Sequence, residues 1–216
     1  KSTDPYSVSA KQFEAHIKAL SESGYTGVSL EELVDYVEKG IELPEKPVVI
    51  TFDDGYSSNY EIAYPILKKY NMKATIFIIG SSVGKDTYKD TEYEITPHFS
   101  YEEAKEMVDS GLIEIQSHTY DMHQHPDYEE GVARKAVVQL EGESEESFIE
   151  AIKADFIQSK KEIEEGTGEK VFALAYPLGK YSDLSEVVIK EMGVKVTLST
   201  ETGINTVIKG LPQCLQ

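Results

Sequence analysis

The sequence lacks tryptophan and contains one cysteine, Cys214, among its 216 residues. A single cysteine cannot close an internal disulfide, so the fold depends on none. No stretch reaches the run of about 18 apolar residues that a membrane span requires, and no signal peptide is visible. These absences exclude a disulfide-stabilised scaffold and a transmembrane segment in this chain.

Positive charge is also scarce. Lys and Arg total 21 against 39 Asp and Glu, which gives a formal net charge of −18. This balance argues against a nucleic-acid partner, whose phosphates the protein would repel, and against docking on anionic lipid. The acidic surface serves solubility, or it attracts a cationic ligand or product.

Short apolar runs alternate with helical patterns along the chain. Runs that are apolar at consecutive positions and rich in Val and Ile are typical of parallel strands covered on both faces. The predicted strands are 25–29, 47–52, 74–79, 113–117, 171–176 and 194–199. Repeated strand–helix units predict an α/β fold with a parallel sheet, either open and doubly wound or closed as a barrel. A full eight-unit barrel needs about 250 residues, so a barrel here would be short or incomplete.

Segments with helix start and stop signals separate these strands. Four serines precede helical patterns as candidate N-caps, and glycines follow them as stops. The caps are Ser9, Ser29, Ser100 and Ser182. A longer helix is predicted from Glu145 to Glu165, ending near Gly166, and the segment from Asn59 to Tyr70 is predicted helical despite Pro65. With 40% hydrophobic residues, the chain suits one domain over residues 1–216.

Two adjacent aspartates, Asp53 and Asp54, follow the strand 47–52 and precede Gly55. Parallel α/β folds place their sites at the carboxyl ends of strands. Asp-Asp-Gly is also a common surface turn. The apolar run before it favours a site, in which the two carboxylates take different roles.

Three of the five histidines follow the strand 113–117, within SHTYDMHQH (117–125). Catalytic zinc sites use three protein ligands and leave one position open. His118, His123 or His125, with an aspartate, would make an N,N,O ligand set suited to Zn²⁺, Co²⁺, Ni²⁺ or Fe²⁺. His16 is predicted to lie on a helix surface, and His98 in a loop.

A third strand end carries AYPLGKY (175–181), a rigid turn that could point a backbone N–H toward a site. Alone, this turn is a weak signal. No G-x-S-x-G, G-x-G-x-x-G or phosphate-binding loop is present, which leaves little support for a nucleophilic triad or a nucleotide site.

Taken together and in this order, TFDDGY, SHTYDMH and AYPLGKY resemble the NodB-type polysaccharide deacetylase family, and most of all its bacterial poly-N-acetylglucosamine (biofilm-type) branch. The resemblance implies a distorted (β/α) barrel of about six to seven parallel strands. It also implies a metal-dependent N-deacetylase that acts on an extracellular or cell-wall amino-sugar polymer. Localisation would be extracellular or at the cell surface.

The resemblance also assigns roles. Asp54, His118 and His123 would bind the metal, most simply Zn²⁺, with His125 as the alternative third ligand. Asp53 would be the general base, and the Leu178 backbone N–H would stabilise the oxyanion. The implied substrate contacts are Tyr56, Tyr120, Pro177 and Tyr181.

Two family features are missing from the sequence. The late histidine that serves as general acid has no counterpart, and the biofilm-type branch carries its acid on a strand upstream of the segment that begins here. We therefore expect this chain to be N-terminally trimmed and to lack the first strand. The arginine that orients the base is also absent; Arg134 would substitute for it or serve a surface role. A catalytically impaired sugar-binding protein and a small-molecule metal-dependent amidase are the alternative functions.

Overall fold

A computed structural model of the protein describes residues 8–203 and 206–210; Cys214 lies outside these ranges. Six α-helices surround short strands. The helices are α1 (Ala10–Glu22), α2 (Leu30–Lys39), α3 (Tyr64–Tyr70), α4 (Tyr101–Asp109), α5 (Glu145–Thr167) and α6 (Asp183–Glu191). Among the described residues, no helix combines the length and apolarity needed to cross a bilayer.

In the described part of the chain, seven strands form two parallel sheets. The strands are β1 (Thr26–Gly27), β2 (Pro47–Val48), β3 (Thr51–Phe52), β4 (Ala74–Ile78), β5 (Ile113–Ser117), β6 (Ala173–Ala175) and β7 (Val196–Leu198). β1 pairs with β2, and the other five lie in the order β3-β4-β5-β6-β7. The larger sheet curls into a half-barrel, which confirms the predicted α/β fold with six to seven parallel strands. The expected loss of a first strand stays a prediction.

The two faces of the larger sheet are covered by different elements. Alternate residues such as Ile76, Ile115 and Leu174 pack outward in the main core, which α1 and α3–α6 cover. Phe77 and Ala175 point inward and pack against α2. β4 and β5 are therefore buried along their whole length. The largely apolar run of β4 predicts this burial, whereas β5 also buries the polar side chains of Glu114, Gln116 and Ser117.

The predicted strand 47–52 is less buried than its sequence indicates. It divides into β2, which pairs with β1, and β3, which pairs with β4 on one side only within the described residues. Thr51 is consequently exposed, and Phe52 is half-buried. The expectation of a strand covered on both faces is wrong here, because no residue of 47–52 is buried. Among the described residues, β3 is the end strand of its sheet.

The serine caps are confirmed as N-caps. Ser9, Ser29, Ser100 and Ser182 each accept a hydrogen bond from the backbone N–H three residues on. The 59–70 segment is helical, with a π-helical turn before α3 and Pro65 in the first turn of α3. The predicted end of the long helix is wrong by one or two residues. α5 continues to Thr167 and is capped by Gly168, whose left-handed conformation (φ 82°) suits glycine.

A buried carboxylate fixes α2 against the inner face of the sheet. Glu114 lies in the middle of β5, and its carboxylate accepts hydrogen bonds from the Leu30 and Glu31 N–H groups, both at 3.1 Å, and from the Thr75 hydroxyl at 2.8 Å. Burial raises the pKa of Glu114, and these hydrogen bonds oppose the shift. The positive end of the α2 dipole favours the ionised carboxylate at this position.

Replacing Glu114 with Ala is expected to lower the free energy of unfolding by about 2–3 kcal/mol, because buried donors lose their acceptor. Urea unfolding followed by circular dichroism measures this change. Glu31→Ala, at an exposed position in the first turn of α2, is the matched control and should cost much less. An equal loss in both variants would contradict the capping role of Glu114.

Candidate active site

Three loops meet at the carboxyl ends of β3, β5 and β6, and each contains a non-glycine residue in the left-handed conformation. These residues are Asp54 (φ 70°), Thr119 (φ 72°) and Leu178 (φ 56°). Such conformations cost on the order of 1 kcal/mol each and cluster at functional sites. A β-branched residue such as Thr119 is especially rare there. All three loops that the sequence motifs single out therefore have strained backbones.

Asp54, His118 and His123 converge at this end of the sheet. The Nε2 atoms of His118 and His123 lie 3.5 Å and 3.8 Å from Asp54 Oδ1, and the potential ligand atoms of the three residues all lie within 4.8 Å of one another. Two nitrogen or oxygen ligands at about 2.0–2.1 Å from one tetrahedral zinc ion would lie about 3.4 Å apart. The spacing therefore suits a single metal ion.

The chemical state of these groups also fits a metal ion. His118 Nδ1 lies 2.8 Å from the Ala175 carbonyl oxygen. It therefore carries the proton and leaves the Nε2 lone pair facing Asp54. Burial lowers the pKa of His123, which favours the neutral imidazole that binds metals. Asp54 Oδ1 is buried and accepts no hydrogen bond from the described residues, as expected of an oxygen that needs a cation.

The position of Asp54 depends on the glycine that follows it. Gly55 has φ 85°, and a Cβ at this residue would lie 2.9 Å from Ile78 Cγ2. The Gly55 N–H donates to the Asp53 carbonyl, and the Ile79 N–H donates to the Asp54 carbonyl. Only glycine fits this turn, which is why the Asp-Asp pair is followed by Gly.

Asp53 stands beside this group of three residues but is not part of it. Asp53 is exposed to solvent. Desolvation by the surrounding protein still raises the pKa of its carboxyl, His118 lowers that pKa, and Asp54 raises it again. Asp53 is thus close to both residues and available as a proton acceptor.

The loop after β6 presents the Leu178 backbone. Pro177–Gly179 form a single 3-10 turn, in which the Gly179 N–H donates to the Tyr176 carbonyl. The backbone hydrogen bonds around this turn are donated by Gly179 and Lys180 and do not use the Leu178 N–H. The Leu178 side chain is half exposed and lines the same cavity as Asp54.

A carboxylate on α5 holds the loop between the two histidines. Asp155 accepts hydrogen bonds from the Tyr120 N–H at 2.8 Å and the Asp121 N–H at 2.7 Å. Burial raises the pKa of Asp155 to about 6, and these two hydrogen bonds oppose that shift. The histidine loop is thereby fixed to a helix rather than left to its own turn propensity.

The site opens into a cavity of about 440 Å³, within the usual size of small-molecule sites. Asp54, His123, Leu178 and Tyr56 line it. The other predicted substrate contacts are not in this lining: Tyr120 lies against Gly80, Pro177 is buried, and Tyr181 stacks on Tyr176 with ring centroids 5.0 Å apart.

Some residues in and near the site differ from the sequence-based expectations. His16 is exposed, as predicted. His98, predicted to be an ordinary loop residue, is buried in the cavity lining, with its ring 4.9 Å from that of Tyr56. His125 is outside the Asp54–His118–His123 group and stacks on Tyr128. Arg134 pairs with Glu143 at 2.5 Å, and its side chain is only 12% exposed, so the expected surface role is wrong.

A larger cavity, about 520 Å³, opens at the opposite end of the strands. Its lining includes Glu114, which caps α2, and charged side chains of both signs such as Glu169 and Lys195. In parallel α/β folds this end contributes stability, whereas chemistry is found at the carboxyl ends. The smaller cavity is therefore the candidate active site.

Comparison with known proteins decides the family. The sequence model of the family described as polysaccharide deacetylase matches residues 40–197. The chain belongs to the polysaccharide deacetylase family. One relative in this family is the poly-beta-1,6-N-acetyl-D-glucosamine N-deacetylase of Staphylococcus aureus strain MRSA252. It is 36% identical over 196 residues, which cover 91% of this chain and 62% of that protein.

Solved deacetylase structures share the fold. A de-N-acetylase from Aggregatibacter actinomycetemcomitans superposes with a TM-score of 0.82 at 27% identity, and IcaB from Ammonifex degensii with 0.76 at 29%. Each match covers all of this chain and 87% of the other. The chain spans about 60% of the length of the curated relatives it matches.

Proposed function

We propose that the protein is a metal-dependent hydrolase that removes N-acetyl groups from amino sugars of a cell-wall or extracellular polysaccharide and releases acetate. The observation that carries this proposal is the convergence of Asp54, His118 and His123, with Asp53 beside them, at the carboxyl ends of the strands. Family membership and a relative named as a poly-N-acetylglucosamine deacetylase support it.

Asp54, His118 and His123 would hold the metal ion. One carboxylate and two imidazoles suit Zn²⁺, and also Co²⁺, Ni²⁺ or Fe²⁺. When bound, a divalent ion would polarise the acetamide carbonyl and lower the pKa of water at the site. His118 is oriented for this role by its hydrogen bond to Ala175.

The remaining chemistry is assigned to Asp53 and Leu178. Asp53 would accept a proton from the attacking water, which then adds to the amide carbon. The Leu178 N–H would donate a hydrogen bond to the carbonyl oxygen as that oxygen gains negative charge. Cleavage of the C–N bond then yields acetate and an amine. The departing amine needs a proton, and the identity of the general acid that supplies it stays a prediction.

The substrate is proposed to be an N-acetylated amino-sugar polymer, and the location extracellular or at the cell surface. The named relative's substrate, poly-β-1,6-N-acetylglucosamine, favours both. We propose that residues 1–216 form one deacetylase domain, because the described helices pack on one curled sheet and α2 closes its inner face. Tyr56 remains the predicted substrate contact that lines the cavity.

The test is acetate release from N-acetylglucosamine tetramer by the full chain supplied with Zn²⁺. We expect acetate above the level of chelator-treated protein, quantified enzymatically. A small acetanilide-type amide is assayed in parallel. No acetate from the tetramer by metal-loaded protein would overturn the proposal, and release from the small amide alone would favour the amidase alternative.

A further inference from the structure

Four aromatic rings stack at one side of the candidate active-site cavity, and three of them line it. We call this set the aromatic wall: Tyr88, Tyr93, His125 and Tyr128. Tyr128 is at its centre, with its ring centroid 4.1 Å from that of His125 at 21° and 4.5 Å from that of Tyr93 at 10°. Tyr88 lies 5.4 Å away at 57°. Tyr88, His125 and Tyr128 line the cavity that also contains Asp54 and His123.

The aromatic wall is built on two loops that are fixed to each other. Lys89 pairs with Asp121 at 2.7 Å and also with Glu129. The Tyr88 hydroxyl donates to Glu129 and accepts from the His125 N–H at 3.3 Å. Burial, with the hydrogen bond to Glu129, raises the pKa of Tyr88 to about 12, so this hydroxyl remains a donor. The rings are therefore held in place before any ligand binds.

Part of the aromatic wall is open to solvent, unlike a packed core. Tyr93 is 51% exposed, and His125 is also exposed. One face of each of these two rings is covered by Tyr128. Stacked rings with an open outer face are a form of recognition surface, since the aromatic body is apolar and its polar groups lie at the edge.

The histidine of this wall is not needed for metal binding in this arrangement. His125 lies outside the Asp54–His118–His123 group, and its Nδ1 accepts a hydrogen bond from the Asp127 N–H at 3.3 Å. The His125 ring instead takes part in the aromatic wall through its face, which stacks on Tyr128. His125 lies near the metal-ligand group because it comes two residues after His123 in the sequence.

We propose that the aromatic wall is a binding subsite for a pyranose ring of the polymer, next to the amino sugar whose acetyl group reacts. This inference rests on the proposed function. A pyranose presents a C–H face that packs on an aromatic ring, and its hydroxyls lie at the rim. Glu94, Thr96 and Lys135 in the same cavity lining offer polar partners for those hydroxyls. The subsite would select oligomers over a single sugar.

The experiment measures binding directly by isothermal titration of Zn²⁺-loaded protein with N-acetylglucosamine monomer and tetramer. We expect the wild type to bind the tetramer more tightly than the monomer. His125→Ala and Tyr128→Ala should each weaken tetramer binding about tenfold, in the range of a lost aromatic stacking contact. His125→Phe keeps a flat ring without the nitrogens and should retain wild-type affinity.

Tyr25→Ala is the matched control, since Tyr25 is 41% exposed and does not line the cavity. It should bind the tetramer like the wild type. Thermal melts and Zn²⁺ titrations establish that each variant is folded and loaded. Tetramer affinity that is unchanged in both alanine variants, or equal affinities for monomer and tetramer, would overturn the subsite. Because binding is measured without turnover, this result is independent of whether acetate is released.

Discussion

Replacing Asp53 with Asn is expected to reduce kcat for acetate release by about 10²–10⁴-fold, the usual contribution of a general base. The amide has the same shape as the carboxylate but cannot accept the proton of the attacking water. Because Asp53 is outside the Asp54–His118–His123 group, Zn²⁺ affinity should stay within a few-fold of the wild type. Steady-state kinetics on N-acetylglucosamine tetramer and a metal titration measure the two quantities.

Glu61→Gln is a suitable control for the Asp53 variant. Glu61 is exposed in the π-helical turn after the Asp-Asp-Gly loop, so the same change from carboxylate to amide should leave kcat unaltered. Acetate release by Asp53→Asn within tenfold of the wild type would remove Asp53 from its assigned role. Lost Zn²⁺ affinity in that variant would instead identify it as a ligand.

Replacing His118 with Ala is expected to weaken Zn²⁺ binding by more than about 100-fold, since loss of a partner that merely supports a ligand already costs 10–100-fold. His118 is nearly fully buried between Ala175 and Asp54, so no other side chain can take its position without repacking. Competition with a chromogenic chelator measures the affinity. His123→Ala should show a loss of similar size.

The variant that discriminates is His125→Ala, which should bind Zn²⁺ like the wild type because His125 stacks on Tyr128. If His125→Ala lost the metal and His123→Ala kept it, the ligand assignment would be reversed. Circular dichroism of each metal-free variant checks that the loss is not one of folding.

The fold and the centre of the site could be predicted because their signals are local. β4 is a largely apolar run, and helices such as α4 begin at a serine cap that satisfies the backbone donor three residues on. Asp54, His118 and His123 follow strands directly, so the common end of a parallel sheet brings them together.

The remaining features depend on contacts between distant segments. The runs at 47–52 and 74–78 look alike in sequence, yet β3 lies at an edge and β4 is fully buried, because the neighbours of a strand are set by topology. The aromatic wall joins Tyr88 and Tyr93 to a loop that begins some 30 residues later. The sequence has no periodic pattern that predicts contact between these two loops. The tyrosines in each loop are the signal that could have indicated it. Glu114 within an apolar strand pattern was a visible anomaly, and its partner, the start of α2, lies 84 residues away.

The hydrogen bonds from the histidine loop to Asp155 affect how the site folds and whether the loop could be transferred to another protein. Tyr120 and Asp121 are 35 and 34 residues from Asp155 in sequence, so these amides are protected only after that long segment closes and α5 docks on β5. Their hydrogen exchange should therefore report the docking of α5 rather than local turn formation. A peptide containing SHTYDMH, grafted onto another scaffold, would carry both imidazoles without the helix that sets their separation.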